Sequence, residues 1–478
     1  MKENYDYDAI IIGAGISGLA CGCYLAKAGL KTLIVEKSHY PGGYCCSFTK
    51  EGYRFDACVH FLSTLRKDSK FYTILNNLGL FKEINIIRHD PSDIIITPDF
   101  KIKIYNDISS TIIEFQKCFP QQKSQIRKFF NYIISTPTMS LTIYKNKTLN
   151  DLLDSYFTDN YLKTILSVLI LGLAGSPASQ ISALVACLIY REFVLLDGGY
   201  YPVGGMQKFT DTFARIFTKF SGEVLMSNKV KKIIIEDNQA RGVILANDKH
   251  IYSKYVISAC DARQTFFEMI GSENIKKDFS KAIESLIPSY SAFMVYLGMD
   301  SDFNHTYDLK SNMWIINSRD MNEIHSKMLN CKNIHFAITS PSMKERIAQS
   351  TNKNSICLTT NVPFINAEYW KKESNRKELE NRLVDAATET IPELSKHIHL
   401  KFNATPLTLY KWTYNYQGAA YGWEGRINQF CNPDISEKTI IENLYLTGHW
   451  NNMGSGITSV ANSGHSTAKL VLSKEKKL

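Results

Sequence analysis

The sequence predicts an α/β fold, and three separated blocks of the chain carry this prediction. Residues 8–36 are patterned as strand, tight turn, helix and strand, which is the length of one βαβ unit. Residues 223–258 are patterned as an antiparallel meander, with turns at Asp237-Asn238 and Asn247-Asp248. Residues 443–472 are patterned as a short strand, a glycine-rich turn and a helix. The three blocks together predict one layered domain assembled from distant parts of the chain.

The elements of the first block follow from its apolar runs. The run Ala9–Ile12 is continuous and apolar, which is typical of a strand buried on both faces. Residues Leu19–Ala28 have helical composition and end at Gly29, a natural C-terminal cap. The run Thr32–Val35 is a second apolar stretch of strand length. Two parallel strands joined by a crossover helix are therefore expected here.

The other two blocks supply further strands and one helix. In the second block the strand-like segments are Val224–Ile235, Arg241–Ala246 and His250–Ser258. In the third block we expect a strand at Leu444–Leu446 and a helix over Gly464–Leu472. A meander of this kind often lies beside a dinucleotide-binding sheet.

The turn of the first block has the spacing Gly13-x-Gly15-x-x-Gly18, and the second strand ends at Glu36. The first glycine permits the sharp turn, the second lets the backbone approach a pyrophosphate, and the third lets the helix pack on the strand. The N-terminus of the helix offers N–H groups and a partial positive charge to the phosphates. Glu36 follows about 20 residues later, where a carboxylate accepts both ribose hydroxyls. The block therefore predicts a dinucleotide site.

Two further glycine motifs favour FAD over NAD. Gly42-Gly43 brings the chain near the cofactor again, and a distant glycine-rich turn follows Gly448. A second backbone site suits a long cofactor that ends in a flavin, whose anionic reduced form a helix N-terminus would stabilise. We expect the cofactor to be held by Gly13, Gly15, Ile16, Ser17, Gly18, Glu36, Lys37, Gly42, Gly43, Gly448, Gly456 and Ile457.

The predicted architecture is an α/β, Rossmann-like FAD-binding domain with an interrupted, mixed α+β substrate domain. The FAD-binding domain is expected to comprise residues 1–60, 200–262 and 430–478. Residues 61–199 and 263–429 are rich in aromatic and aliphatic residues, and we assign them to the substrate-binding domain, with helices that could face a membrane.

Four stretches of the chain carry a family resemblance: residues 41–56, 198–206 with 258–262, 418–424 and 443–464. Over nearly its whole length the chain resembles the phytoene desaturase, carotenoid isomerase and retinol saturase family of FAD-dependent oxidoreductases, flavoproteins of the GR2 type. The doubled cysteine Cys45-Cys46 and the His60 that follows are most similar to the retinol saturase branch.

The resemblance implies roles for individual residues. Val230 would contact the adenine through its backbone, and Gly448 with the turn 454–457 would hold the ribityl chain and the flavin. The chain departs from the family at Tyr44, where many members have a basic residue. It departs again at Asn452-Met453, where desaturase-like members often have a proline. Both departures bear on how the flavin ring is held.

No catalytic side chain is predicted, because the sequence has no nucleophile elbow, no paired acids and no metal-ligand spacing. Hydride transfer at a flavin needs positioning and exclusion of water rather than a triad. Five aromatic or imidazole residues are candidates for lining the active site, with an ordinary packing role as the alternative for each: His60, Tyr421, Trp423, His449 and Trp450.

Charge and cysteine usage exclude several classes of protein. The net charge of +9 is spread along the chain, so no nucleic-acid partner is expected. The 11 cysteines lack the spacing of a secreted disulfide framework, which favours a reducing, cytoplasmic compartment, and no metal site is expected. No apolar run reaches the ~18–20 residues of a membrane span. The segments Ile165–Ala174 and Ile181–Leu196 are either buried helix or a tunnel and membrane-facing surface.

The resemblance implies an enzyme that desaturates, saturates or isomerises carbon–carbon bonds of a long apolar polyene or isoprenoid lipid, such as a carotenoid or retinoid. Because such a substrate is insoluble, we expect peripheral attachment to the inner face of a membrane. Two alternatives stay open: a flavin amine oxidase-like enzyme, and a non-enzymatic lipid-binding escort protein of the same fold. The electron acceptor, whether a redox protein, a quinone or oxygen, also stays open.

Overall fold

Two seven-stranded β-sheets organise the chain in the computed structural model. The structure describes residues 5–300, 302–303, 309–332, 335–345, 353–430 and 432–476. The strands, in chain order, are β1 Tyr7–Ile12, β2 Thr32–Val35, β3 Ser47–Lys50, β4 Tyr53–Asp56, β5 Ile86–Arg88, β6 Asp93–Ile96, β7 Lys101–Ile104, β8 Tyr200–Pro202, β9 Glu223–Leu225, β10 Val230–Glu236, β11 Gln239–Leu245, β12 His250–Ser258, β13 Ser291–Met299, β14 Asn312–Ile316, β15 His335–Thr339, β16 Asn354–Val362, β17 Ile398–Ala404 and β18 Leu444–Leu446.

Helices connect and cover these sheets. The α-helices within the described residues are α1 Ile16–Lys27, α2 Lys70–Leu78, α3 Ile108–Cys118, α4 Lys123–Ser135, α5 Leu149–Tyr156, α6 Asn160–Ala174, α7 Ala183–Ile189, α8 Gly205–Lys219, α9 Lys277–Ser285, α10 Met321–Leu329, α11 Pro341–Lys344, α12 Ala367–Lys371, α13 Glu373–Thr390, α14 Pro406–Thr413 and α15 Ile457–Lys474. Two short π-helices occupy Tyr190–Leu195 and Gln264–Gly271.

The first sheet confirms the predicted α/β class. Its order is β10-β11-β12-β1-β2-β9, with β18 pairing β12. β1 pairs in parallel with both β2 and β12, and β18 also pairs in parallel with β12. β12 is long enough for two roles, because its first residues pair antiparallel with β11 and its last residues pair with β1. The predicted meander is therefore an extension of the parallel sheet.

The sequence predicts a single strand over Val224–Ile235, and this prediction is wrong. The structure divides it into β9 and β10, which belong to different parts of the first sheet. Ser227 adopts a left-handed conformation with φ of +56°, and its N–H donates to Ser38 O. This turn lets β9 pair in parallel with β2 before the chain continues into β10.

The C-terminal helix was predicted to begin at Gly464, and this boundary is also wrong. α15 begins at Ile457, directly after Gly456, whose φ is +88°. Gly464 lies inside the helix, where a Cβ atom would overlap the carbonyl oxygen of Ser17. The prediction places a helix boundary at Gly464, but this glycine instead permits close packing of α15 on α1.

The second sheet has the order β17-β13-β16-β15-β14-β6-β7 and is antiparallel except between β14 and β6. One face packs into an apolar core with α13. The strands of this sheet come from residues 93–104 and 291–404, and those of the first sheet from residues 7–35, 223–258 and 444–446. The predicted domain boundaries themselves stay a prediction.

The apolar segment Ile165–Ala174 lies within α6, at the centre of a helical cluster formed by residues 95–195 and strand β14. Its side chains from Ile165 to Leu171 are buried. The segment is thus a buried helix, and three of its residues, Val168, Gly172 and Leu173, also line a cavity described below. The second segment forms α7 and the π-helix that follows it.

Three further properties of the structure concern membrane spans, cysteines and metal ligands. Within the described part of the chain, no helix combines the length and apolar character needed to cross a bilayer. The ten cysteines in that part are free thiols. The same residues contain no group of three or more His, Cys, Asp or Glu placed to hold a metal ion.

Candidate cofactor cavity and active site

The glycine turn between β1 and α1 leaves space for a ligand at one position only. A Cβ atom on Gly15 would meet no atom within 4 Å, whereas a Cβ atom on Gly18 would overlap the carbonyl oxygen of Gly13. Gly13 has a φ of +102°, which favours glycine. Gly15 therefore faces open space at the N-terminus of α1, and Gly18 is needed for packing of the turn itself.

Glu36 closes the turn from the end of β2. Its Oε2 accepts a 2.7 Å hydrogen bond from Ala14 N, and its Oε1 accepts a 2.8 Å bond from Ser38 N. Only 8% of the residue is exposed. Each carboxylate oxygen keeps a further lone pair, so the group can also accept hydroxyl donors from a ribose.

A strap formed by Gly42 and Gly43 crosses the glycine turn. Gly42 N donates to Ala14 O at 2.9 Å, and Gly43 approaches Gly15. Both strap residues have positive φ values, +135° and +59°. The chain therefore returns to the same opening within a few residues of Glu36.

The two ends of the chain meet at this opening. Gly448 follows β18, and its N–H donates to Ser463 Oγ at 3.0 Å. A Cβ atom on Gly448 would lie 3.0 Å from Ser17 Oγ. The N-terminus of α15, at Gly456 and Ile457, faces the same space. Backbone sites from both termini thus border one cavity.

This cofactor cavity comprises about 1490 Å³ of space, including a part that is open to solvent. Every residue expected to hold the cofactor lines it, including Val230, except Gly18, which lies beneath the turn. The others are Gly13, Gly15, Ile16, Ser17, Glu36, Lys37, Gly42, Gly43, Gly448, Gly456 and Ile457.

One wall of the cofactor cavity comes from residues that sequence reasoning missed. The end of α14 contributes Trp412 and Thr413, and the loop that follows contributes Tyr414 and Asn415. The ammonium groups of Lys37 and Lys229 lie 4.7 Å and 4.6 Å from the centroid of the Tyr414 ring. Lys37 Nζ also donates to Trp412 O, and burial lowers the pKa of its ammonium. The aromatic run of this loop was the available signal, but nothing local relates it to a site so far along the chain.

A second space, the inner cavity, continues from the cofactor cavity. It comprises about 1050 Å³ of space, including a part that is open to solvent, and its lining within the described residues contains no Asp, Glu, Lys or Arg. Side chains of α6 and strands β14, β15 and β16 form most of its lining. The two cavities share residues at their junction, which are Cys58, Val59, Thr359, Tyr421, Gly456 and Ile457.

A third space, the outer cavity, also borders Gly456 and comprises about 1460 Å³, including a part that is open to solvent. Unlike the inner cavity, it has charged lining, including Arg66 and Glu192, whose side chains form a 2.8 Å ion pair. His449 lies between the outer and cofactor cavities, and Phe193 lies between the outer and inner ones.

The five candidates for active-site lining fall into different places. His60 lines the inner cavity, Tyr421 lies at its junction with the cofactor cavity, and Trp423 lines the outer cavity. Burial lowers the pKa of His449 to about 4. Trp450 lines none of the three; it is buried against Trp423, with ring centroids 4.8 Å apart, and its Nε1 donates to Asn415 Oδ1. The structure thus places Trp450 in packing contact with Trp423, and its part in an active site stays a prediction.

Tyr421 is fixed between α6 and the cavities. Its hydroxyl donates a 2.6 Å hydrogen bond to Gly172 O, and a Cβ atom on Gly175 would lie 2.5 Å from its ring. The absence of a side chain at Gly175, directly after α6, therefore allows the ring to reach the junction. The ring stands as a wall where the two cavities meet.

His60 is a neutral imidazole in a buried setting. Its Nε2 lies 3.4 Å from Thr359 Oγ1, and burial together with Lys344 lowers its pKa to about 3. Lys344 Nζ donates to His60 O at 2.8 Å and to Asn312 Oδ1 at 2.6 Å. Burial lowers the pKa of Lys344 to about 8. His60 thus carries no charge at neutral pH.

A family model described as flavin containing amine oxidoreductase matches residues 16–472. The chain belongs to this family. It is accordingly an FAD-dependent oxidoreductase, and its residues fit that cofactor. Gly15 leaves open space for a pyrophosphate, and Glu36 keeps acceptor capacity for a ribose. The long cavity ends at the N-terminus of α15, which offers N–H groups to a flavin.

Curated relatives of this flavin-containing oxidoreductase include enzymes named for retinoids and carotenoids. The all-trans-retinol 13,14-reductase of Danio rerio is 25% identical, over 93% of this chain and 82% of the relative. A neurosporene-forming phytoene desaturase of Rhodobacter capsulatus is 23% identical, over 97% of this chain and 93% of the relative. The prolycopene isomerase of Daucus carota is 27% identical, over 63% and 54%. These relatives agree with the family predicted from the sequence.

Solved structures agree on the fold. An oxidoreductase from Methanosarcina mazei has a TM-score of 0.70 at 16% identity, covering 96% of this chain and 99% of that one. A putrescine oxidase variant has a TM-score of 0.70 at 14% identity, covering 98% and 99%. The flavoprotein fold of this family member is therefore shared along the whole chain.

Proposed function

We propose that this oxidoreductase acts on carbon–carbon bonds of a long apolar polyene or isoprenoid lipid. The observation that carries the proposal is the inner cavity, which is lined without charged side chains and opens into the cofactor cavity at Gly456 and Ile457. A conjugated chain in that cavity would reach the junction where the N-terminus of α15 begins. A cavity with this lining suits a largely apolar ligand.

The residues of this chain position the substrate and exclude water. Val168 and Leu173 of α6 form one wall, and Trp314 of β14 faces them. Tyr421, held by Gly172 O, limits how far a chain can move at the junction. FAD, when bound, supplies the hydride acceptor or donor, so no acid–base side chain is required at the substrate.

The relatives support the substrate class, and their names leave three possible reactions. Their names specify reduction of a retinoid, desaturation of a carotenoid and isomerisation of a carotenoid. We propose saturation or isomerisation ahead of desaturation. The support is Asn452-Met453, which stands where desaturase-like members often have a proline, together with the doubled cysteine Cys45-Cys46.

The two alternatives receive less support. A charged ammonium group buried in the inner cavity would lack a counter-ion among the lining residues that the structure describes. An escort protein without a flavin would have no use for Gly15 and Glu36 in their present arrangement. Both residues keep the geometry that a dinucleotide requires.

We also propose that the enzyme attaches peripherally to an anionic membrane surface through the loop between α4 and α5. Met139 is 80% exposed and Ile143 is 66% exposed, and Lys145 and Lys147 follow on the same exposed loop. Apolar side chains beside basic ones suit the interface of an anionic bilayer. Arg191 ties this loop to the π-helix Tyr190–Leu195 by donating to Thr136 O and Thr138 Oγ1.

The deciding experiment is anaerobic incubation of the purified holoenzyme with candidate polyenes. Retinol, a cis-carotenoid and a phytoene-like hydrocarbon are each offered to the oxidised and to the reduced flavin, and the products are separated and identified. Conversion of any of them supports the proposal and assigns the direction. Conversion of putrescine or another amine, with none of the polyenes converted, would overturn it.

A further inference from the structure

Two neighbouring strands of the second sheet, β15 and β16, present polar side chains to the inner cavity. On β15, His335, Ala337 and Thr339 line it together with Phe336, while Phe336 and Ile338 also belong to the apolar core on the other side. On β16, Thr359 lines the cavity opposite Ala337. Alternation along strands places i and i+2 on one face, so these side chains form a single surface.

Several polar atoms on this surface lack hydrogen-bond partners although they are buried. Both ring nitrogens of His335, the hydroxyl of Thr339 and Nδ1 of His60 have no partner within the described part of the chain. The three residues are 2%, 3% and 7% exposed, respectively. His60 reaches the same surface through Thr359, which is the cross-strand neighbour of Ala337, between His335 and Thr339. Buried polar groups are nearly always paired in native proteins, so this concentration points to a ligand.

The charges around His335, Thr339 and His60 indicate which chemical group could bind there. The buried cation Lys344 already donates to His60 O and Asn312 Oδ1, and Asn312 Nδ2 in turn donates to Asp93 Oδ1. Among the residues that the structure describes, no charged side chain lines the cavity itself. A carboxylate or an ammonium group would therefore be buried without a counter-ion, at a large cost.

A hydroxyl group matches the atoms that are available. A neutral imidazole has one donor and one acceptor nitrogen, and a threonine hydroxyl can both donate and accept a hydrogen bond. Burial lowers the pKa of His335 to about 4 and that of His60 to about 3, so both rings are neutral near pH 7. A hydroxyl both donates and accepts, whereas a carbonyl oxygen would satisfy only the donors.

We propose that His335, Thr339 and His60 bind a hydroxyl group of the substrate, so that the enzyme acts on a polyene or isoprenoid alcohol in preference to a hydrocarbon. This inference rests on the proposed function, since it assumes that the inner cavity holds the substrate. It places the oxygen-bearing part of the molecule on the β15 surface. The conjugated chain then extends toward Tyr421 and the cofactor cavity.

The test compares two ligands that differ in one group. All-trans-retinol and the hydrocarbon in which a methyl replaces its hydroxymethyl group are titrated into the holoenzyme, and binding is followed by the perturbation of flavin absorbance. We expect the alcohol to bind at least tenfold more tightly, because the hydrocarbon leaves buried polar groups unpaired. Thr339→Val and His335→Phe should each reduce this ratio to below about threefold.

A matched variant separates hydrogen bonding from packing. Thr339→Ser keeps the hydroxyl and should keep the tenfold ratio, whereas the isosteric Thr339→Val should lose it. Equal binding of the two ligands by the wild type would overturn the inference, as would a ratio that neither substitution changes. If the alcohol and the hydrocarbon bind equally but polyenes are still converted, the inference fails and the proposed function stands. If neither ligand binds or reacts, the proposed function fails together with the inference.

Discussion

The carboxylate of Glu36 accepts a 2.7 Å hydrogen bond from the backbone N–H of Ala14. The end of β2 is thereby tied to the glycine turn that follows β1. A second bond, from Ser38 N to Oε1, fixes the other oxygen. The acceptor that a ribose requires is thus oriented by the backbone on both sides, before any cofactor contributes.

Replacing Glu36 with alanine should weaken FAD binding at least tenfold. The substitution removes the acceptor for the ribose hydroxyls and leaves Ala14 N–H without its partner, and hydrogen bonds to a charged group contribute about 1.5–3 kcal/mol each. The dissociation constant of FAD, measured by fluorescence recovery on release, checks this. Glu236→Ala, at an exposed position on β10, is the control and should leave the constant unchanged. Full retention of FAD by Glu36→Ala would contradict the assigned role.

Two glycine substitutions in the same turn should have different effects, one on the stability of the apoprotein and one on FAD affinity. Gly18→Ala places a Cβ atom against the carbonyl oxygen of Gly13, so the apoprotein should lose about 1–3 kcal/mol of unfolding free energy. Gly15→Ala meets no protein atom within 4 Å, so the apoprotein should keep its stability while FAD affinity falls at least tenfold.

Urea unfolding of the apoproteins and FAD titration of each variant check this pair. The contrast matters more than either value, because a merely destabilised variant would lose both properties together. Tight FAD binding by Gly15→Ala would mean that the pyrophosphate does not approach this position.

The first block of the fold could be predicted because its signals are local. The apolar runs, the glycine spacing and Glu36 lie within residues 8–36, and the structure has β1, α1 and β2 there. Boundaries were wrong where a residue acts through distant packing. Gly464 was interpreted as a helix boundary because its contact with Ser17, across more than 400 residues of chain, leaves no local signal.

The inner cavity could not be predicted, because its lining is assembled by the second sheet. His335 and Thr339 become neighbours of His60 only through the register of β15 with β16. In the sequence these residues alternate with apolar ones and resemble any half-buried strand. The loop at Trp412 and Tyr414 was missed for the same reason, since only the tertiary fold brings it over Lys37.

Filling the inner cavity should abolish polyene conversion without removing FAD. Val168 is 2% exposed on α6 and lines the inner cavity but not the cofactor cavity. Val168→Phe should lower kcat/KM for a polyene at least tenfold, because the added ring occupies space that the substrate requires. Val168→Ala enlarges the cavity and serves as the control, with FAD content equal in both variants. Unchanged turnover by Val168→Phe would place the substrate elsewhere, for example in the outer cavity.

Charges placed on the exposed loop should release the enzyme from membranes. The double variant Met139→Asp/Ile143→Asp removes two exposed apolar side chains, each worth about 1.5–3 kcal/mol when buried. Cosedimentation with vesicles containing anionic lipid should fall at least tenfold, with polyene turnover in detergent unchanged. Ile113→Asp, at a residue 48% exposed on α3, is the matched control. Equal vesicle binding by the double variant and the wild type would exclude this loop as the attachment site.

Acid should destabilise the protein in part through His335. Burial lowers the pKa of this imidazole from 6.5 to about 4, so the unfolded chain takes up a proton between these values while the folded protein does not. The stability is therefore fully present above pH 6.5 and is lost as the pH falls toward 4, by up to about 3 kcal/mol for this residue. Urea unfolding at pH 7 and pH 4 should show a smaller loss for His335→Phe than for the wild type. Thr339→Val, which changes the same cavity without a titrating group, should keep the wild-type dependence; an equal loss in His335→Phe would show that the imidazole takes up its proton in the folded state as well.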